Sequence, residues 1–300
     1  KMGNMIPLDE IFCFIDDFCK NFEQIQFHRC LPNPHRKRMK PCRMSLSEVM
    51  TILILFQFSH YRTFKDFYLS CLSVQYKKDF PKLVSYTRFL ELIPFAMMPL
   101  LVLLMQMPGQ KTGRYYVDST KLFVCHNLRI RRHKVFDGLA KLGKTSTGWF
   151  FGFKLHIIIN DKGELMNFMI TPGNKDDRMV VAKLMNGLQG WLFGDRGYIS
   201  KKLTETLKNQ GVELITTLKK NMKKQFIEPI KKYWLRKRGV IETIIDQLKS
   251  IFHLQHTRHR SIANYFTNIL AALLAYTFKP KKPSVSFAKS ITTSSPLISS

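Results

Sequence analysis

The sequence predicts an α/β fold: a mixed five-stranded sheet with flanking helices, preceded by an all-helical N-terminal region. Three observations predict it. Apolar residues recur at helical spacing through the first 110 residues. From Arg114 the period shortens to β runs separated by turn residues. Beyond Pro172, strand and helix patterns alternate, the signature of parallel strands joined by helices. The expected organisation is a helical region over 1–110, an α/β domain over 111–280 and a flexible basic, Ser/Thr-rich tail over 281–300.

In order along the chain, Leu8 to Phe27 carries Leu8, Ile11, Phe12, Ile15, Phe18, Cys19 and Phe22 on one helical stripe. The Pro- and Arg-rich run Leu31 to Arg43 breaks it. Ser45 with Glu48 three residues on marks a helix start, and that helix runs to Phe58. Further helical patterns cover Thr63 to Leu72 and the residues after Tyr86. These helices suit either a helix-turn-helix reader of DNA or a plain helical cap, and the pattern leaves both open. Tyr115 to Val117 reads as a short strand ending at Asp118. Trp149 to Ile159 and Glu164 to Thr171 form a hairpin around Asn160-Asp161-Lys162-Gly163. Helix Met179 to Leu188, strand Trp191 to Gly194, helix Ser200 to Asn209, strand Val212 to Leu218 and one helix from about Tyr233 to Phe252 complete the pattern.

Composition narrows the function. A hydrophobic share of 45% with 24 Phe supports a packed core and excludes wholesale disorder. Against 21 acidic residues stand 48 Lys and Arg, a formal net charge of +27, so the natural partner is a polyanion. The surplus climbs along the chain: 14 basic and 9 acidic groups in residues 1–110, 15 and 7 in 111–200, 19 and 5 in 201–300. No positive n-region with a short apolar run opens the chain, so no secretory signal is expected. The chain begins on Lys1, not Met, which leaves an upstream portion of the frame open. The most apolar stretch, Phe89 to Met107, is interrupted by Glu91, Pro94, Pro99 and Gln106 and reads as a buried helix pair, not a membrane span. Six cysteines without a C-x-x-C spacing suit reduced thiols, and His28, Cys30, His35 and Cys42 fit no compact zinc site.

Three acids stand out on this frame. Asp118 and Asp195 each close a predicted strand, where sites form in open α/β sheets. On the last helix, Arg238, Glu242 and Lys249 fall within about 40° of one another, beside the apolar stripe of Ile241, Ile244, Ile245 and Leu248. Carboxylates that converge repel one another unless cations join them. An oxygen-only set suits Mg²⁺ or Mn²⁺, and two such ions clamp the attacking and leaving oxygens of a displacement at phosphorus. The residues alone therefore read as metal-dependent phosphodiester chemistry on nucleic acid. Asp176 and Asp177 read as a loop and a helix cap. Asp246, one turn beyond Glu242, reads as structural. Lys154 and His156 are expected to face outward on one strand, with a DNA-backbone or a supporting role. The runs Lys219 to Lys224 and Lys231 to Arg238, and the loop carrying Arg129, Arg131, Arg132, His133 and Lys134, are expected to meet phosphates.

Taken in order, Val117-Asp118-Ser119, Gly148 to His156 (GWFFGFKLH), Thr171 to Asn174 with Asp177-Arg178, Gly194 to Tyr198 (GDRGY) and the R-x3-E-x6-K spacing of Arg238, Glu242 and Lys249 resemble the insertion-sequence transposases of the DDE class. The resemblance runs from about Tyr115 to Pro283, and the helical N-terminal part is also similar. It implies a ribonuclease H-like catalytic core with Asp118, Asp195 and Glu242 as the metal-binding triad for Mg²⁺ or Mn²⁺, two ions in all. It implies DNA contacts from Arg238 and Lys249, with Lys154, Arg131 and Arg132 as further candidates. The partners implied are double-stranded DNA, as element terminal repeats and target, and further copies of the chain, with no membrane. The setting implied is a prokaryotic cytoplasm, at the nucleoid. Many relatives carry Tyr three residues before the Arg; here that position is Leu235, and no tyrosine takes the role. Two alternatives stand: a ribonuclease H-like nuclease without strand transfer, and a catalytically inactive DNA-binding descendant.

Overall fold

The computed structural model describes residues 7–29, 42–145, 148–217, 226–255 and 259–285. The expected run Lys219 to Lys224, most of the Pro- and Arg-rich break and nearly all of the Ser/Thr-rich tail lie outside them. Helix α1 (Leu8–Arg29) is followed by α2 (Leu46–Phe58). The start of α2 is the one the sequence predicts. The Glu48 N–H donates to the Ser45 hydroxyl at 3.1 Å and the Ser45 N–H donates to the Glu48 carboxylate at 2.7 Å, so two otherwise unpaired donors are satisfied. Every side chain from Val49 to Gln57 is buried, which makes α2 the centre of the helical region, not an exposed helix.

The short helices α3 (Phe64–Asp66) and α4 (Ser73–Gln75) flank a π-helical turn, Phe67–Leu72, and lead to α5 (Tyr86–Gln106). Here the expectation fails: Pro94 and Pro99 do not split the stretch, and one helix runs through both. An interior proline costs about 3 kcal/mol. The burial of Phe89, Leu92, Ile93, Ala96, Pro99, Leu100, Leu103 and Leu104 on one side of α5 offsets that cost. By length and composition α5 could cross a membrane, but its buried side packs on α2 and on α10 (Ile262–Thr277).

The sheet is mixed, as expected. Strand β3 (Gly148–Asn160) is antiparallel to β1 (Arg114–Cys125) along one edge. Its other edge is shared end to end by β2 (Lys141–Thr145) and β4 (Leu165–Pro172). Beyond β1, β5 (Gly190–Gly194) and β6 (Val212–Thr216) run parallel to it, so the sheet is five strands wide. The turn between β3 and β4 needs glycine: Gly163 has φ +75°, and a Cβ there would lie 1.9 Å from the Pro283 carbonyl oxygen. The sequence did not predict β2, because KLGKT is a polar edge strand with no alternation to read.

Each face of the sheet has its own helices. Tyr116, Leu122, Leu155, Ile157 and Phe193 join one continuous core with the N-terminal helices, α8 (Pro229–Arg236), α9 (Gly239–Ser250) and α10. Tyr115, Val117, Ile158, Leu192 and Val212 form a smaller core with α6 (Arg178–Leu184) and α7 (Lys201–Asn209). The single helix expected from Tyr233 to Phe252 is two helices, broken at Lys237-Arg238 before Gly239, a residue that favours a helix interior poorly. Helix α10 has no counterpart in the sequence reading. From Ile269 to Tyr276 it is buried on every side, so it has no amphipathic period.

Candidate active site

Strands β1 and β5 pair in parallel from Arg114↔Trp191 to Tyr116↔Phe193. The same offset, carried two residues on, brings Asp118 level with Asp195. What ends at Asp118 is therefore the pairing with β5 and not the strand, which continues beside β3 to Cys125. The expectation of a strand end is corrected in that sense: the two acids stand where neighbouring parallel strands part. Asp195 turns into the 3₁₀ turn Arg196–Tyr198, and its carboxylate accepts the Arg196 N–H at 2.7 Å. Gly194 makes this turn close. A Cβ there would press on the Tyr198 ring and the Val117 methyl at 3.1 and 3.2 Å.

Asp118 is half-buried, with its carboxylate accepting the Ser119 N–H at 2.8 Å. Burial pushes its carboxyl up to about 6; the Ser119 N–H and Arg238 oppose the rise, while the Glu242 and Asp195 carboxylates add to it. Asp118 thus feels the charge of both other acids. Glu242 sits in the first turn of α9, exposed, with its Oε1 2.8 Å from Arg238 Nη2. Lys249 lies near Asp118 at the other end of α9. Burial lowers its pKa, Lys121 adds to the lowering, and Asp118 and Asp246 oppose it.

Among the described residues no three Asp, Glu, His or Cys side chains stand together as a metal cage. Glu242 is instead engaged by Arg238. The donor set nonetheless fits Mg²⁺ or Mn²⁺. Asp118, Asp195 and Glu242 offer oxygens only, the donor chemistry that these hard cations take.

On the opposite face, under α6, lies a polar cluster. Asp177 occupies the cap position of α6 but makes no capping bond. Its carboxylate accepts the Ser119 hydroxyl at 2.7 Å and the Lys154 ammonium at 2.7 Å. Lys154, also bonded to the Lys175 carbonyl at 2.8 Å, is only 13% exposed. His156 does not face outward as expected: it is buried, with Nε2 2.8 Å from the Thr171 hydroxyl. Burial pushes its pKa down to about 4; Asp177 opposes the shift and Lys154 adds to it. Asp176 pairs with Arg178 in the loop position expected of it. Tyr198 is buried beside this cluster, its phenol held well above its ordinary pKa by burial and by Asp118 and Asp177.

Two clefts open on the site. One, of about 510 Å³, is lined by Asp118, Asp195, Lys144, Lys154, Trp149 and Tyr198 among others. The second, of about 900 Å³, is lined by His126, Arg129, Arg132, His133 and Trp149 with the end of β1. Residues Asn127–Arg132 form a 3₁₀ turn, in which residues three apart eclipse one another. Arg129 and Arg132 therefore share the cleft, whereas Arg131 is exposed and does not line it. Trp149 and Lys144 went unassigned in the sequence. The three-residue spacing of His126, Arg129 and Arg132 was the available signal for the cleft. Leu235, three residues before Arg238, is buried in the core.

The chain also shows distant likenesses to solved structures. The piggyBac transposase synaptic complex with hairpin DNA aligns over 90% of this chain and 72% of that one, at 12% identity and a TM-score of 0.49. A simian T-cell lymphotropic virus intasome in complex with PP2A regulatory subunit B56 gamma covers 63% and 62%, at 13% identity and 0.30. The Mos1 mariner paired end complex with Mn covers 87% and 85%, at 10% identity and 0.24. Among curated proteins no sequence matches the chain. The strand order described above agrees with the ribonuclease H-like core that the sequence resemblance implies. The family model described as "Transposase DDE domain" matches residues 108–262, which hold Asp118, Asp195 and Glu242, and the chain belongs to that family of phosphoryl-transfer enzymes.

Proposed function

We propose that this protein is a DNA transposase that cuts strands at the ends of an insertion element and joins the freed 3′-hydroxyl to target DNA. The observation that carries the reading is the meeting of Asp118 and Asp195 where β1 and β5 part, with the charge of Glu242 felt at Asp118. The three carboxylates would hold two Mg²⁺ or Mn²⁺ ions. Bound divalent cations supply an activated attacking oxygen and a stabilised leaving oxygen in displacement at phosphorus. Arg238 keeps Glu242 oriented until it is needed, and Lys249 offers positive charge beside Asp118.

Water and the DNA 3′-hydroxyl are the nucleophiles of this reading, and it involves no covalent protein–DNA link. The Tyr198 phenol, buried and held well above its ordinary pKa, is a poor competitor. Arg129, Arg132 and Lys144 line the two clefts and hold the strand by its phosphates, with Arg131 available at the rim. Lys154 supports the bed of the site through Asp177. Pairing two element ends calls for at least two copies of the chain. The working compartment is the cytoplasm, on nucleoid DNA.

The test is cleavage of linear DNA carrying the native element end, with Mg²⁺ and with EDTA, by wild type and Glu242→Gln. Ends bearing 3′-hydroxyls from the wild type alone, in metal alone, followed by joined products, are expected. Cleavage without joining reduces the protein to a nuclease. DNA bound but never cut makes it an inactive descendant.

A further inference from the structure

Trp149 is 56% exposed and forms the wall common to both clefts. On its acid side stand Asp118 and Asp195; on its basic side stand Arg129 and Arg132, and among the described residues no carboxylate lines that cleft. The backbone that carries the indole is held in place. Asn127 Nδ2 donates to the Trp149 carbonyl at 3.0 Å, and Trp149 pairs with Lys144 across β3 and β2. The Lys144 ammonium lies 5.5 Å from the ring centroid. The far wall is stiffened by His133, which stacks on Phe136 at 5.7 Å with 7° between the planes. At about 900 Å³ the basic cleft is at the upper end of the size range of small-molecule sites, roughly 300–1,000 Å³.

An exposed aromatic ring flanked by cations is the chemistry that receives an unpaired base. A base inside a duplex has both faces covered by its neighbours, whereas an unpaired one can stack on an aromatic side chain while cations hold the adjoining phosphates. We propose that Trp149 is the stacking platform for an unpaired nucleobase of the DNA strand that crosses the acid cleft, with Arg129 and Arg132 on the phosphates beside that base. The inference rests on the DNA-cleavage reading of the acid cleft and names the part of the substrate that occupies its neighbour. Because every base has a π-face, the platform accepts any of the four.

The experiment is fluorescence anisotropy in EDTA, so that nothing is cut, with a labelled 15-nucleotide oligo-dT and a labelled 15-base-pair duplex. Trp149→Ala should weaken oligo-dT binding about 5- to 150-fold while changing duplex binding by less than about twofold. Trp149→Phe should retain most of the single-strand affinity. Trp149→Leu, which keeps apolar bulk without a π-face, should fall with the Ala variant. Circular dichroism of each variant reports its fold. The double variant Arg129→Ala with Arg132→Ala should weaken both probes and flatten the salt dependence. Equal losses on both probes for Trp149→Ala, or none, overturn the platform and leave the cleavage reading standing. Wild type binding neither probe sinks the cleavage reading itself.

Discussion

Asp118 and Asp195 are held by backbone, whereas Glu242 is held by a side chain. Asp118 stands between β3 and the parting edge of β5, opposite Ile157, with Val117 fully buried before it. Asp195 is pinned by the N–H of its own next residue. Glu242 is exposed on a helix that starts anew at Gly239, and what orients it is the Arg238 guanidinium. Under the proposed function, the difference assigns different tasks. The strand acids are set before substrate arrives, at the cost of the raised carboxyl of Asp118. The helix acid can exchange its arginine for a cation or a phosphate-bound partner without moving the sheet.

The largest effect should come from the pre-set pair. Asp118→Asn or Asp195→Asn should lower strand cleavage by about 10³-fold or more, several kcal/mol of transition-state stabilisation, while DNA binding measured by gel shift is kept. Cleavage within tenfold of wild type by either variant would mean that the register does not mark the site.

The next effect probes the bed under the pair. His156 sits opposite Ser119 on β3, faced by Asp177 and Lys154, with its pKa pushed down to about 4. In the unfolded chain its pKa is the ordinary value near 6.5. Above that pH both states are neutral and the group contributes nothing. As pH falls from about 6.5 the unfolded chain takes up a proton that the folded protein refuses until about 4. The contribution of His156 to stability should therefore drop across that window by on the order of 3 kcal/mol at most, and level off below it. The difference in urea midpoint between wild type and His156→Gln, followed against pH, should show this slope. Asp118, whose raised carboxyl acts in the opposite direction, is common to both proteins and cancels in the difference. Identical slopes would show that His156 protonates freely, so that the bed under the strand acids is open to water.

Why the strand acids were legible and their bed was not follows from the same contrast. Asp118 and Asp195 each follow a short apolar run, and register then does the rest; an alternating pattern carries that information. The capping box of Ser45 and Glu48 was equally legible, because both partners lie within one turn. The burial of His156 and the Lys154–Asp177 pair depend on α6 folding back over β3, a contact between residues 23 apart that no local period records. Polar β2 and the all-apolar α10 both lack alternation, one for want of apolar residues and the other for want of polar ones. The break at Lys237-Arg238 was hidden because the apolar stripe continues in phase beyond it, through Ile241, Ile244, Ile245 and Leu248.

That break gives the finest test of the comparison. Gly239 opens α9, and a Cβ built on it meets nothing within 4 Å. Its φ is not positive, so alanine fits the backbone as it stands. Gly239→Ala should therefore stabilise the protein by about 0.5–1 kcal/mol, mainly by restricting the unfolded chain. The Thr243 hydroxyl bond to the residue 239 carbonyl involves no side chain at 239 and survives the change. If the Arg238 ion pair orients Glu242, cleavage by Gly239→Ala stays within about twofold of wild type, since nothing bound in the transition state has been removed. If instead freedom at Gly239 lets α9 swing Glu242 toward Asp118, the same variant melts higher and cuts much more slowly. A thermal melt and a single-turnover cleavage rate on one preparation separate the two, and a side-chain-held acid requires the first result.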